Sequence, residues 1–237
     1  MIEKLKSLIE KNKYIANIIR YVYRTTILKY QHHKQNKLFL QNASSVMFQI
    51  DNVFEELKID YWLEYGTLLG AIREKGFISH DLDIDLGLYL NDYSEHIQVV
   101  FNKYGFKKRN KISIDNGQYG LEESYIYKDI VIDLFYFTRK DSQYYSHGFK
   151  NEDGKSWSRT IQDNGGLIVR EIYFPHGKIK KINFLGKEFP VPVNSEEHLK
   201  AFYGDNYLIP NSSWDPYTMA KNIKTLNNKI GVVKYYD

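Results

Sequence analysis

The sequence predicts an α+β protein, a mixed α/β sheet flanked by helices. Three observations carry this. Helical apolar spacing fills the first quarter of the chain, short apolar runs between turn signals take over from position 61, and the helical patterns mostly precede the strands. Residues 2–30 repeat Leu5, Leu8, Ile9, Ile15, Ile18, Ile19 and Val22 at helical spacing, with lysines between them and no Gly or Pro. A polar stretch at 31–36 is expected to separate this helix from a second one over about 38–58. Residues 61–65 read as a strand, Gly66-Thr67 as a turn, and 68–74 as a short helix ended by Lys75-Gly76. A strand over 83–90 and a helix over 92–104 follow, the latter closed by Gly105 as a left-handed cap. Residues 106–114, 119–127 and 130–138 read as antiparallel strands joined by turns at Asn116-Gly117 and Lys128-Asp129. The last third is aromatic and punctuated by Gly and Pro, with no strong period until a helix over 196–203.

Composition bounds the class. A chain of 237 residues with 43% apolar and 26% charged side chains can bury a substantial core and should be globular. The absence of cysteine excludes disulfides and thiolate zinc sites and fits a reducing compartment. No run of 18 apolar residues and no signal-peptide pattern occurs. The net charge of +4 is uneven: residues 1–40 carry +7 and the remainder −3. A slightly acidic body argues against a nucleic-acid groove, whose footprint needs Lys and Arg throughout. The expected division is a basic amphipathic helical extension over 1–36 and a globular domain over 37–237. A basic amphipathic helix over 1–30 can lie on an anionic bilayer or pack on the domain with its lysines in solvent.

The chemistry concentrates in 61–89. Asp81, Asp83 and Asp85 alternate with Leu82, Ile84 and Leu86, so a strand would put three carboxylates on one face about 6–7 Å apart. Carboxylates so arranged repel one another unless a cation intervenes, and Mg²⁺ takes hard oxygen ligands of this kind. The alternative is a solvated acidic edge, although Asp is a poor strand former. Asp133 is a single acid inside the apolar run Val131–Phe137; if that strand lies beside 83–90, Asp133 faces the triad. Upstream, Gly66-Thr67-Leu68-Leu69-Gly70 leads into a helix whose N-terminal amides and dipole suit a phosphate. There Gly66 allows close approach, Thr67 can cap the helix and reach a phosphate oxygen, and Arg73 can supply a bidentate contact.

The run Tyr65-Gly66-Thr67-Leu68-Leu69-Gly70-Ala71, then Arg73, Gly76-Phe77-Ile78 and Asp81-x-Asp83-x-Asp85, resembles the LicD/fukutin family of fukutin-related-protein-like phosphotransferases. Ile132-Asp133-Leu134-Phe135 is similar to the family's second acidic strand, and Phe202-Tyr203-Gly204-Asp205 through Pro210 to its C-terminal segment. The resemblance is dense over 60–90, sparser over 130–215 and absent from 1–36. It implies a nucleotidyltransferase-like fold for a LicD-type catalytic domain over 37–237, and Mg²⁺-dependent (possible also with Mn²⁺) transfer of a ribitol-, glycerol- or choline-phosphate group. The implied donor is CDP-activated, the acceptor is a glycan or lipid-linked saccharide, and CMP is released. By position, Asp83, Asp85 and Asp133 would be metal ligands and catalytic residues, and Gly66, Thr67, Leu68, Gly70, Arg73, Asp81 and Tyr203 would bind substrate. Many members read Pro-Trp-Asp-Asp-Asp-x-Asp where this chain has Ser79-His80-Asp81-Leu82-Asp83-Ile84-Asp85, which adds His80 as either a turn residue or a titratable group. The cysteine-based zinc element of some animal members cannot exist here.

In this reading Asp133 or His80 orients or deprotonates the acceptor hydroxyl, and one or two of Trp157, Tyr173, Tyr203, Tyr207, Trp214 and Tyr217 stack on the sugar. His32, His33, His147, His176 and His198 show no metal-ligand spacing and are expected at the surface, and Lys178–Lys181 on the solvated face of a hairpin. Two rivals remain: transfer of the nucleotide itself from an NTP, and a binding module without catalysis. Richness in Lys, Asn, Ile and Tyr points to a bacterial enzyme of capsule, teichoic-type polymer or lipopolysaccharide assembly. It would be cytoplasmic and peripheral at the inner face of the membrane.

Overall fold

The computed structural model describes residues 28–236 except 142, 176–177 and 212, together with Tyr14, Asn17 and Thr26. The basic helix expected over 2–30 lies almost wholly outside the described residues. Helix α1 (Leu28–Leu57) is continuous, so the expected break at 31–36 is not found. Gln, His, Lys and Asn are polar without being helix breakers, and residues 31–35 simply form an exposed turn of the helix. Farther along, Phe39, Ala43, Val46, Met47, Ile50, Val53 and Phe54 make the buried stripe.

Beyond α1 come β1 (Tyr61–Leu63), α2 (Tyr65–Arg73), β2 (Asp83–Tyr89), α3 (His96–Lys103), β3 (Lys107–Ile114), β4 (Gly120–Tyr127) and β5 (Ile130–Lys140). Then follow β6 (Gln143–Lys150), α4 (Trp157–Asn164), β7 (Leu167–Pro175), β8 (Ile179–Phe184), β9 (Lys187–Pro192), α5 (Ser195–Tyr203) and β10 (Ile223–Tyr235). Eight strands form one mixed sheet in the order β1-β2-β5-β4-β3-β10-β7-β6, and the end of β5 also pairs with β6. The β2–β5 pair is parallel and its neighbours are antiparallel. The fold is thus the expected α+β mixed sheet flanked by helices. Lys128 and Asp129 both take positive φ, 51° and 61°, as the expected two-residue hairpin turn requires.

Two local expectations change. Gly66 and Thr67 belong to α2 rather than to a turn, because the helix starts at Tyr65 with Glu64 as its cap. The helix expected over 92–104 starts at His96, after a 3₁₀ turn at Leu90–Asp92. The main core lies between α1 and the sheet, where Ile84, Leu86 and Leu88 of β2 and Ile132, Leu134 and Tyr136 of β5 meet Met47 and Ile50.

Candidate active site

Period-2 geometry on β2 sends Ile84, Leu86 and Leu88 into the core and leaves Asp83 and Asp85 on the opposite face. The parallel register pairs Asp85 with Asp133 of β5. One carboxylate oxygen from each of Asp83, Asp85 and Asp133 lies within 4.8 Å of the others, so these three can hold a metal ion. The start of α2 fixes the middle member. Gly66 N donates to Asp85 Oδ2 at 3.0 Å, and Asp85 N donates to Thr67 Oγ1 at 2.9 Å. A Cβ at position 66 would sit 3.3 Å from both Asp81 Oδ2 and Asp85 Oδ2, so glycine is what lets the helix end approach the carboxylates. Ser124 Oγ donates to Asp133 Oδ1, and Asn36 of α1 donates to Ser79 O and Asp81 O at 2.8 and 3.1 Å, tying down the loop before β2.

Every acid of the cluster is held toward its neutral form. Burial, then the charge of Asp83, pushes Asp81 up to about 7 despite Arg73. Burial pushes Asp133 up to about 7, with Asp83 adding to it while the Ser124 hydroxyl and Arg109 pull the other way. Asp83 is raised by burial, and Asp85 is raised well above the carboxylate range by burial and then by Asp83, Asp133 and Asp81. A cluster of hard oxygen donors with this much unrelieved repulsion fits a small divalent cation.

The acids open into a cleft of about 1020 Å³, also lined by Gly66, Arg73, His80, Tyr203, Trp157, Tyr207, Trp214 and Tyr217. Tyr173 does not line it. Thr67, Leu68 and Gly70 are buried and do not line it either. Thr67 therefore neither caps α2 nor faces the cleft: its hydroxyl receives the Asp85 amide. Gly70 carries α2 against the following turn, where a Cβ would come 2.6 Å from Gly76 O. Arg73 donates from Nε to Glu74 and from Nη1 to Tyr207 O at 3.2 Å, linking α2 to the C-terminal side of the cleft.

The junction of β1 and α2 rests on Glu64, fully buried. It accepts from Trp62 Nε1 at 2.7 Å and Tyr65 N at 3.2 Å, and lies 2.7 Å from His198 Nε2, whose ring stacks on Phe174. Tyr65 takes a φ of 41°, which turns the chain sharply into α2, and its hydroxyl meets Ser146 Oγ at 2.8 Å. His198 and His147 are thus not surface histidines: they are 4% and 1% exposed. His147 packs its ring over Gly120, and burial lowers it to about 4. His32 and His33 are exposed as expected, His176 lies outside the described residues, and Lys180 and Lys181 are exposed on the β8–β9 hairpin.

Two charged cleft residues escaped the sequence reading, and His147, expected at the surface, lines the cleft as well. Glu122 sits on β4, where burial and then Asp133 push it up to about 8. Arg170 sits on β7. Arg170 gave no signal like that of Asp133, because Glu171 beside it makes the pair read as an ordinary charged stretch of strand.

Comparison with known proteins gives four findings. A family model described as LicD/FKTN/FKRP, nucleotidyltransferase domain, matches residues 58–194. Ribitol-5-phosphate transferase FKTN of Mus musculus is 25% identical over 188 residues, covering 79% of this chain and 38% of that protein. Lipopolysaccharide cholinephosphotransferase LicD of Haemophilus influenzae is 41% identical over 71 residues, covering 28% of this chain and 27% of that protein. The chain therefore spans well under half the length of these relatives. Among solved structures, lincomycin-bound lincosamide antibiotic adenylyltransferase LnuA aligns with a TM-score of 0.37 and 15% identity, over 62% of this chain and 77% of that one.

Proposed function

The chain belongs to the LicD/FKTN/FKRP family through its nucleotidyltransferase domain, and from that premise we propose that it moves a phospho-alditol or phosphocholine group from a CDP-activated donor to a sugar hydroxyl of a cell-surface glycan, releasing CMP. The observation that carries this is the convergence of Asp83, Asp85 and Asp133 in one cleft. Relatives that transfer ribitol 5-phosphate and choline phosphate support the kind of group moved.

Mg²⁺ or Mn²⁺ held by Asp83, Asp85 and Asp133 would supply charge stabilisation at the donor's phosphate oxygens. The chain's own groups do the rest. Gly66 N and the Thr67 hydroxyl hold Asp85 in orientation, and Arg73, beside Asp81 on the cleft wall, offers N–H groups to a phosphate. The acceptor oxygen forms a bond to the donor phosphorus in line with the bond to CMP that breaks, and its proton passes to a carboxylate. Asp133 is suited to take it by position, because it lies on β5 beside Asp85 and lines the cleft. His80, exposed at the cleft, is the alternative. Trp157, Tyr203, Tyr207, Trp214 and Tyr217 are the walls on which a sugar would stack. Residues 1–30 would hold the enzyme to an anionic membrane surface at the cytoplasmic face, ahead of a catalytic domain over 37–237.

The test is a donor screen with CDP-ribitol, CDP-glycerol, CDP-choline and plain NTPs, each with Mg²⁺ and a glycan acceptor. CMP released in step with acceptor modification is the expected result. Pyrophosphate released from an NTP would instead establish nucleotidyl transfer on the same carboxylates.

A further inference from the structure

Arg170 is a second unbalanced charge in the cleft, opposite in sign to the aspartates. It lies on a strand that buries Leu167, Val169, Ile172 and Phe174, and is itself 6% exposed; the acid beside it in sequence, Glu171, is engaged by the Tyr119 and Tyr173 hydroxyls. Among the described residues it takes part in no ion pair. Its Nη1 donates to Pro216 O at a long 3.4 Å, and its Nε is buried with no partner. Asp215, whose charge reaches it, is already engaged: Oδ1 accepts from Tyr217 N and Oδ2 from Thr218 Oγ1, both at 2.9 Å. Tyr217 lies against the guanidinium at 4.6 Å.

A buried guanidinium with most of its five donors unused is costly unless an anion meets it. The neighbours of this one, Gly148, Pro216 and Tyr217, all line the cleft, and a Cβ at Gly148 would come 3.8 Å from Arg170 Nη2. The spare donors therefore belong to the cleft. Arg73 and Arg109 are the cations whose charge reaches Asp81 and Asp133.

We propose that Arg170, packed against the Tyr217 ring, anchors a phosphate-binding subsite separate from the aspartate cluster, taking a phosphate oxyanion of the substrate through a two-point contact. The phosphate has two sources, the nucleotide side of the donor and a phosphate already carried by the acceptor. This assignment of source rests on the phosphotransfer reading; the subsite itself rests on Arg170.

The experiment is calorimetric titration of the full chain in EDTA with inorganic phosphate, then with CMP and with glucose 6-phosphate. Phosphate should bind saturably to the wild type and to Asp83→Asn, and at least tenfold more weakly to Arg170→Gln. Arg170→Lys keeps the charge but loses the fork, and should fall between them. A loss seen with CMP assigns the subsite to the donor, and a loss seen with the sugar phosphate assigns it to the acceptor. Equal phosphate binding by wild type and Arg170→Gln, or no saturable binding by the folded wild type, overturns the subsite. Should Arg170→Gln not fold, wild-type affinity in Arg170→Lys overturns it. Phosphate binding through Arg170 in a chain that releases no CMP from any donor would sink the phosphotransfer reading alone. Donor turnover with unchanged KM values for both substrates in Arg170→Gln would sink the subsite alone.

Discussion

The core and the cleft of this molecule treat buried charge in opposite ways. In the core, Lys108 and Glu123 pair at 2.5 Å with side chains 2% and 0% exposed, and Tyr125 and Tyr136 donate to the same carboxylate. Glu64 is matched as completely, by Trp62, Tyr65 N and His198. In the cleft, four aspartates and Glu122 crowd together, while Arg170 sits buried and, among the described residues, forms no ion pair. A fold that satisfies its structural charges this thoroughly leaves unsatisfied ones where something else is to bind. The difference separates groups that hold the fold from groups that meet a ligand.

The sharpest way to break that distinction is to remove charge from each region. Asp83→Ala with Asp85→Ala should lower CMP release on the order of 10⁴-fold, about 5 kcal/mol of transition-state stabilisation, with the circular dichroism spectrum unchanged. Full activity in the folded double variant would end the catalytic assignment. Lys108→Met acts the other way. It leaves Glu123 buried without its counter-charge, so it should cost about 3–5 kcal/mol in denaturant unfolding while the surviving folded enzyme keeps its kcat/KM. Loss of turnover at unchanged stability would erase the distinction between the regions.

His198→Ala tests the junction between them. It removes the ring that faces Glu64 Oε1, leaves Trp62 and Tyr65 N in place, and takes away the stack on Phe174. About 2 kcal/mol of stability should be lost. Because Glu64 caps the helix whose second residue fixes Asp85, metal affinity measured by titration should weaken as well. Unaltered metal binding would mean that α2 is positioned without this contact.

How much of this was readable in the sequence depends on the range of the interaction involved. Asp83 and Asp85 were legible because alternation along one strand is a local property. The turn at Lys128-Asp129 was legible too, and its hairpin register puts Ser124 opposite Asp133 and Glu122 opposite Phe135. Glu122 could therefore have been found from the sequence once that register was followed. Arg170 could not be placed in the cleft, because β7 is positioned by β6 and β10, neither of which the sequence predicted, and the register of β10 shifts between Leu226 and Ile230. That irregularity also hid β10 itself, since it breaks the period by which strands are recognised. The unbroken α1 was missed for a different reason: polarity over 31–36 reports exposure, not a change of backbone.

The smallest effect expected is on stability against pH, and its sign follows from the raised acids. Asp81 and Asp133 move from an ordinary value of 3.8 to about 7 on folding, and Glu122 from 4.5 to about 8. Between about pH 4 and 8 these acids bind more protons in the folded chain than in the unfolded one, so their contribution to the stability of the metal-free protein falls as pH rises through that window. It is opposed below about 6.5 by His147, which burial lowers to about 4, and by exposed acids lowered through hydrogen bonds and ion pairs. Asp83 is a charge that raises each of Asp81, Asp85 and Asp133. Asp83→Asn should therefore flatten the decline and, in EDTA at pH 8, raise Tm by about 2–4 °C, a gain near 1 kcal/mol for a chain of this length. Added Mg²⁺ should raise the Tm of the wild type at that pH and leave Asp83→Asn nearly unmoved, since the variant trades a ligand for relief of repulsion. Thermal scans from pH 4 to 8 with and without metal decide the matter. A wild type that gains stability with rising pH in EDTA, or a variant that follows the same slope, would mean that the aspartates are already balanced by charges of the chain itself.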